Sequence, residues 1–190
     1  MDLLTGIFTA FGLSASAGLN AYIPLLVVGV VAHYTDWIHL SSPWDLLASP
    51  WVLIVLGILV IIEMLADKIP AVNHLNDAIQ TFIRPTAGAI AFAASAHVIT
   101  DVHPVLSLIC GLLIAGSVHV VKSAAVRPVV TATTGGAGNV PVSIAEDLLA
   151  AVMSVLAILV PVLVAILLIV MVTLFLQWWQ RRRERANQRT

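Results

Sequence analysis

Residues 51–85 read WVLIVLGILVIIEMLADKIPAVNHLNDAIQTFIRP. The stretch begins as an unbroken apolar run of the kind that sits in lipid, then gathers Glu63, Asp67, Lys68, Asp77 and Arg84. Elsewhere the chain avoids charge: of its 190 residues 60% are hydrophobic and only 10% charged, with a mean hydropathy of +1.03. Soluble domains carry about 25% charged residues, so this composition argues against a soluble domain. A helix needs about 20 mostly apolar residues to cross a hydrocarbon core of about 30 Å, and several runs meet that length or approach it.

Outward from the opening stretch, the hydropathy predicts an all-α, polytopic integral membrane protein with about five transmembrane helices. The first run covers 3–33 and is interrupted by small residues. The second covers 50–66, with Ser49 as N-cap and Pro50 at the first helical position. A shorter third runs over 86–99 and a fourth over 104–121. The fifth, 143–180, contains Pro161, which is expected to kink it rather than end it. This organises the chain as a single transmembrane domain, 1–180, and a basic tail, 181–190. The opening MDLLTGIF lacks the positive region of a cleavable signal peptide. Cys110 is the single cysteine, which excludes an internal disulfide and reads as a small buried apolar residue.

Trp178 and Trp179 followed by Arg181, Arg182, Arg183, Arg185 and Arg189 have the pattern of a membrane helix ending on the cytoplasmic side. With five crossings, that orientation puts the linkers 67–85 and 122–142 outside. They hold Lys68, Arg84, Lys122 and Arg127, whereas the inner loops hold no Lys or Arg, against the positive-inside rule. Either a further segment crosses, or these bases fold back toward the membrane interior and pair with acids; the second reading is preferred. It fits the composition of 122–142, KSAAVRPVVTATTGGAGNVPV, which is apolar and small and reads as a re-entrant or broken-helix element lining a cavity.

In the first run, GLSASAGLNAYIP has small residues that suit close helix packing, while Asn20 and Pro24 call for a further reason. AGLNAYIP at 17–24 echoes AGNVP at 137–141, and IRPTAG at 83–88 echoes VRPVVTA at 126–132, which leaves an internal repeat open. Glu63 and Asp67 stand on one helix face and need a proton, a metal ion or bases such as Lys68 and Arg84 to neutralise them. The prolines after Arg84 and Arg127 place each arginine at a helix start or break. SIAED at 143–147 fits a capping box, Ser143 with Glu146, which makes Glu146 structural and leaves Asp147 to face the interior. His33, Asp36 and His39 read as headgroup-level residues. His97 with Asp101, and His74 with Asp77, fall short of a metal motif; TTGGAGN lacks the Lys-Ser/Thr ending of a phosphate loop, and no nucleophile triad can be assembled.

Together AGLNAYIP, E...ADKIP, IRPTAGA, K....RP and S.AED resemble a bacterial membrane-protein family catalogued as domain of unknown function 4126, over about residues 10–165. The resemblance implies a shared fold and an inner-membrane location, and no reaction. EMLADK is also similar to the E-x-G-D-K/R-T/S motif of a family of cation/proton exchangers, departing from it in the spacing of the acids, the missing glycine and Ile69.

The expectation is therefore a transporter or channel for a small ion or polar solute, with Asn20, Glu63, Asp67, Lys68, Arg84, Lys122, Arg127 and Asp147 converging on one polar centre. The alternative is a non-transporting scaffold or a lipid- or partner-binding protein. Neither enzyme chemistry, a cofactor nor a nucleic-acid partner is expected; membrane lipids are, and a homo-oligomer is left open.

Overall fold

The computed structural model describes residues 3–68, 70–96 and 103–161, with 166, 169–170, 172–173 and 177. The basic tail 181–190, the Trp pair and the His97–Asp101 spacing lie outside them, and Cys110 in the fourth run is a free thiol. The regular structure among the described residues is all helix, with no strand: α1 (Leu3–Leu19), α2 (Tyr22–Tyr34), α3 (Pro50–Ala66), α4 (Pro70–Ala96), α5 (Pro104–Val121), α6 (Arg127–Thr134) and α7 (Asn139–Leu159). A 3-10 turn, Trp44–Ala48, precedes α3, and a π-helical turn, Lys122–Val126, joins α5 to α6.

Ser49 caps α3 as expected, accepting from Val52 N at 3.4 Å, with Pro50 in the first turn. The fourth run is also placed as expected, since α5 covers Pro104–Val121; in the other runs hydropathy misplaces helix bounds for physical reasons. The first run is two helices, because the chain breaks at Asn20. What reads as a linker over 67–85 is the first half of α4: Asn76, Gln80 and Arg84 recur every four residues on one buried face, so polarity that suggests a loop belongs to an amphipathic helix. Arg84 sits mid-helix rather than at a break. Pro85 is tolerated inside α4, as prolines are where neighbouring helices resupply the backbone.

In the long run α7 starts at Asn139, four residues before the expected cap, and ends at Leu159. Val160, preceding Pro161, leaves the helix with φ −140° and ψ 67°, outside the α region that a proline ring disfavours for its predecessor. Only Val160 is non-helical, and Pro161 with residues 166, 169–170, 172–173 and 177 is helical again, so the run is broken at the proline and not ended by it, as expected.

Of the two readings of 122–142, re-entrant element or broken helix, the structure has the broken helix: a π turn, α6 and the start of α7, with a turn over 135–138. Its first half continues α5 through the π turn, where Arg127 N–H bonds Lys122 O, and α6 closes on left-handed Gly135. A proline at 128 would crowd the carbonyl four residues back in a regular helix, and the wider turn relieves this. Five residues in an α-helix rotate about 140° away from their starting azimuth, at 3.6 residues per turn. An i→i+5 turn instead brings Lys122 and Arg127 to one side.

α1 packs on α4, α5 and α7, while α2 lies against α3 and α7. Small residues allow this: a Cβ placed on Gly88 would collide with the Cβ of Ala115 on α5. Serines then tie the helices, Ser14 Oγ donating to Gly111 O at 2.8 Å and Ser16 Oγ to Ala150 O at 2.7 Å, the close-packed arrangement of helices without loops between them. Gly88→Leu should therefore destabilise the fold by about 1–3 kcal/mol through overpacking, seen as a lower melting temperature in detergent; unchanged melting would mean α4 and α5 can separate freely.

Among the described residues the charges are gathered inside and much of the surface is apolar. Ile54, Ile58, Ile61, Leu65, Leu106, Leu113, Leu148 and Val155 are exposed, while Glu63, Asp67, Arg84, Lys122, Arg127, Glu146 and Asp147 are buried. Among the described residues two helices are long and apolar enough to cross a membrane, Pro104–Thr134, of 31 residues, and Asn139–Leu159, of 21. The other expected crossings are shorter apolar helices, such as Pro50–Ala66 and Tyr22–Tyr34, or the amphipathic α4.

Candidate functional site: a broken helix embedded in buried ion pairs

The site is built around the break between α1 and α2. A chain interruption inside an apolar bundle strands backbone groups that no water reaches, and each must find a partner. Lys122 Nζ donates to Leu19 O, the last carbonyl of α1, at 2.9 Å. Ala21 N–H donates to the Glu63 carboxylate, 3.3 and 3.1 Å from its two oxygens. Asn20 Oδ1 accepts from Tyr22 N and Ile23 N, both at 3.1 Å, which caps α2 with a side chain. Pro24 adds no N–H to the first turn, where one would be orphaned. A cation thus meets the C-terminal end of one helix and an anion the N-terminal end of the next, each matching the local helix dipole.

From that break the charges extend into a network. Arg84, fully buried, directs Nε at 3.1 Å and Nη2 at 3.0 Å to Glu63 Oε1. Its Nη2 also lies 3.5 Å from Asp67 Oδ2. Lys122 Nζ stands 3.4 Å from the same Asp67 oxygen and 3.0 Å from Glu146 Oε2. Arg127 Nη2 bridges Asp67 Oδ2 at 3.1 Å and Glu146 Oε2 at 3.0 Å. Asn76 Nδ2 donates to the other Asp67 oxygen at 2.7 Å. Two Arg–Glu pairs, Arg84–Glu63 and Arg127–Glu146, therefore flank Asp67.

Asp147 joins through Asn20, whose Nδ2 donates to its Oδ1 at 3.0 Å. Its Oδ2 lies 3.5 Å from Lys68 Nζ, an ion pair without a hydrogen bond. Lys68 is the rim of the cluster, its side chain 25% exposed and its Nζ bonded to Met64 O at 2.9 Å.

The structure brings all eight residues expected from the sequence to one place, and their backbone positions explain why. The α3 C-terminus supplies Glu63, Asp67 and Lys68, the middle of α4 Arg84, the π turn Lys122, the start of α6 Arg127, the helix break Asn20, and α7 Asp147. Asp147 faces Asn20 and Lys68 rather than Arg127. Sequence reasoning missed Glu146, assigned to a capping box that does not form: with α7 starting at Asn139, Ser143 lies in the helix, fully buried, and its Oγ has no hydrogen-bond partner among the described residues.

It also missed Asn76, which shares its face of α4 with Arg84, and His119, one turn before Lys122. His119 Nδ1 lies 3.1 Å from Arg84 Nη1. Arginine can only donate, so this nitrogen accepts, and the ring proton sits on Nε2, 3.2 Å from Thr81 Oγ1. The histidines at 33 and 39 are exposed with Asp36, and His33 Nδ1 bonds Ala48 O at 2.8 Å. Among the described residues no group of three or more His, Cys, Asp or Glu is arranged to hold a metal ion.

Four acids, Glu63, Asp67, Glu146 and Asp147, face four bases, Lys68, Arg84, Lys122 and Arg127, so the cluster is formally neutral. Isolated charges so placed would each cost several kcal/mol, about 2.5–3.5 by insertion scales, and opposite partners at these distances offset that cost. Chemically, the cluster can exchange partners: any ion that enters must displace a side chain already bound there.

The local echoes in the sequence have structural counterparts. Asn20 and Asn139 both stand at the start of a helix with a proline in its first turn, and Arg84, inside α4, and Arg127, at the start of α6, each precede a proline and reach Asp67. Their order along the chain differs between the halves.

No curated protein and no solved structure matches the chain. The profile of the family described as domain of unknown function (DUF4126) matches residues 7–181, which include the break, the two Arg–Glu pairs and Asp67, and the chain belongs to that family.

Proposed function

We propose that this protein is a small multi-pass protein of a bacterial inner membrane, with its arginine-rich tail in the cytoplasm, that moves a small ion or polar solute through the site at the α1–α2 break. The carrying observation is the discontinuous helix itself: the carbonyl end of α1 and the amide end of α2 both open onto buried charged side chains. Transporters place solute sites where half-helix ends meet at membrane depth. The apolar share of the surface, with the charges gathered inside, supports lipid as the surroundings. With the bases engaged in the network, the excess of outer-loop Lys and Arg disappears from the positive-inside count.

Purified protein in liposomes, loaded and assayed for proton-coupled uptake of cations and then of anions, tests the reading. Uptake above empty vesicles is expected for at least one solute, and it should be lost in Asn20→Ala. Flux equal to empty vesicles across a broad panel would discard transport. One observation favours the second reading, a non-transporting scaffold or lipid- or partner-binding protein: the network is neutral and its charges are already paired, which suffices to hold the helices in register.

A further inference from the structure

The four carboxylates of the cluster are not equivalent. Glu63 is bound by backbone as well as side chain, since it accepts from Ala21 N–H at the start of α2. Glu146 and Asp147 sit inside α7, where regular helix holds their backbone on both sides. Asp67 differs in both respects. It lies in the turn that ends α3, and its carboxylate is held by side chains alone: Arg84, Lys122 and Arg127 on Oδ2, at 3.5, 3.4 and 3.1 Å, and Asn76 on Oδ1. Three cations converging on one oxygen, with an amide N–H on the other, form a cradle cut to a single carboxylate group.

An entering cation is offered less: Asp147 Oδ2, which has no hydrogen bond, is a single oxygen already paired with Lys68 at 3.5 Å. Glu63 is saturated by Arg84 and Ala21 N–H, and Glu146 Oε2 already receives two bases. An entering anion can instead exchange with Asp67 at no change in the charge of the cradle. The side chain next to Asp67 in the turn, Lys68, is the partly exposed member of the cluster, so the turn is where a carboxylate can swing toward solvent.

We infer that Asp67 occupies, as a tethered stand-in, a binding site for the carboxylate group of a small organic anion, which displaces it from Arg84, Lys122 and Arg127. The inference rests on the reading of this cluster as a solute site and narrows the solute to a monocarboxylate, with Asp67 as the group that closes the site when no solute is bound. The passage of solute past Asp67 is an exchange of one carboxylate for another, and it makes or breaks no covalent bond.

Acetate is the probe. The full chain carrying Asp67→Ala, in detergent, should melt below wild type in chloride and recover much of that loss, saturably, when acetate replaces chloride at equal ionic strength. Wild type should respond far less, its own carboxylate competing. Asp67→Asn keeps the shape of the side chain and serves if the alanine variant does not fold: it should bind labelled acetate several-fold more tightly than wild type in equilibrium dialysis. Arg127→Gln added to either variant should abolish the effect.

Identical behaviour in acetate and chloride, together with no gain of acetate binding in Asp67→Asn, overturns the inference. These are binding readouts and need no flux: acetate rescue without uptake in liposomes keeps the site and discards transport, whereas cation uptake without acetate rescue keeps transport and discards the site.

Discussion

Arg84→Ala should destabilise the detergent-solubilised protein by on the order of 3–5 kcal/mol, the usual cost of leaving a buried charge without its partner. The reason is the number of groups that depend on one guanidinium. Removing it leaves Glu63 with the Ala21 N–H alone, takes one of three cations from Asp67 and takes from His119 Nδ1 its donor. Arg84→Lys should recover little. A single ammonium cannot reach Glu63 on one side and His119 on the other, as a planar fork does. Asp45→Ala, in the exposed 3-10 turn, is the control and should melt like wild type. Thermal or denaturant melts of the three variants decide it; Arg84→Ala melting with the control would mean that the cluster contributes nothing to holding the helices together.

The same dependence shows why the site was largely legible in the sequence while the fold was legible only in part. Charge in a chain with so little of it must be paired, so every Lys, Arg, Asp and Glu inside an apolar segment points to a partner, and hydropathy suffices to collect Glu63, Asp67, Arg84, Lys122, Arg127 and Asp147. Helix boundaries carry no such constraint. The polar half of α4 resembles a loop because a hydropathy window averages over faces, and Asn76 and Gln80 are hidden with it.

The π turn leaves no mark beyond Pro128. A one-turn change in helix width re-aims Arg127 without any change in composition, so nothing in residues 122–128 fixes its direction. Ser143 and Glu146 have the spacing of a capping box, yet spacing alone does not say where a helix starts; the chain is already helical from Asn139, and that shift alone turns Glu146 from a cap into a ligand for two bases. His119 carried a signal that was available: it stands three residues before Lys122, on the same face of the helix that brings Lys122 to the network.

Lys122 is the residue on which the break and the charge cluster both depend, and its loss should show in a way that separates the two. Lys122→Met keeps the length and the apolar stem of the side chain but removes the donor to Leu19 O, the neighbour of Glu146 and one cation of Asp67. A cost of about 3–5 kcal/mol is expected, because Glu146 and Asp67 are then held by the arginines alone. Adding Glu146→Gln removes the surplus negative charge while leaving an oxygen that Arg127 can still reach. The double variant should therefore regain about 0.5–3 kcal/mol as a coupling term. It should not return to wild type, since the Leu19 carbonyl remains buried without its donor, at about 1–3 kcal/mol. Hydrogen exchange at the α1–α2 junction would locate that residue of instability: faster exchange at Ala21–Ile23 in both variants is expected, and full recovery of melting and exchange in the double variant would mean that Lys122 serves the acids only and that the end of α1 needs no cap.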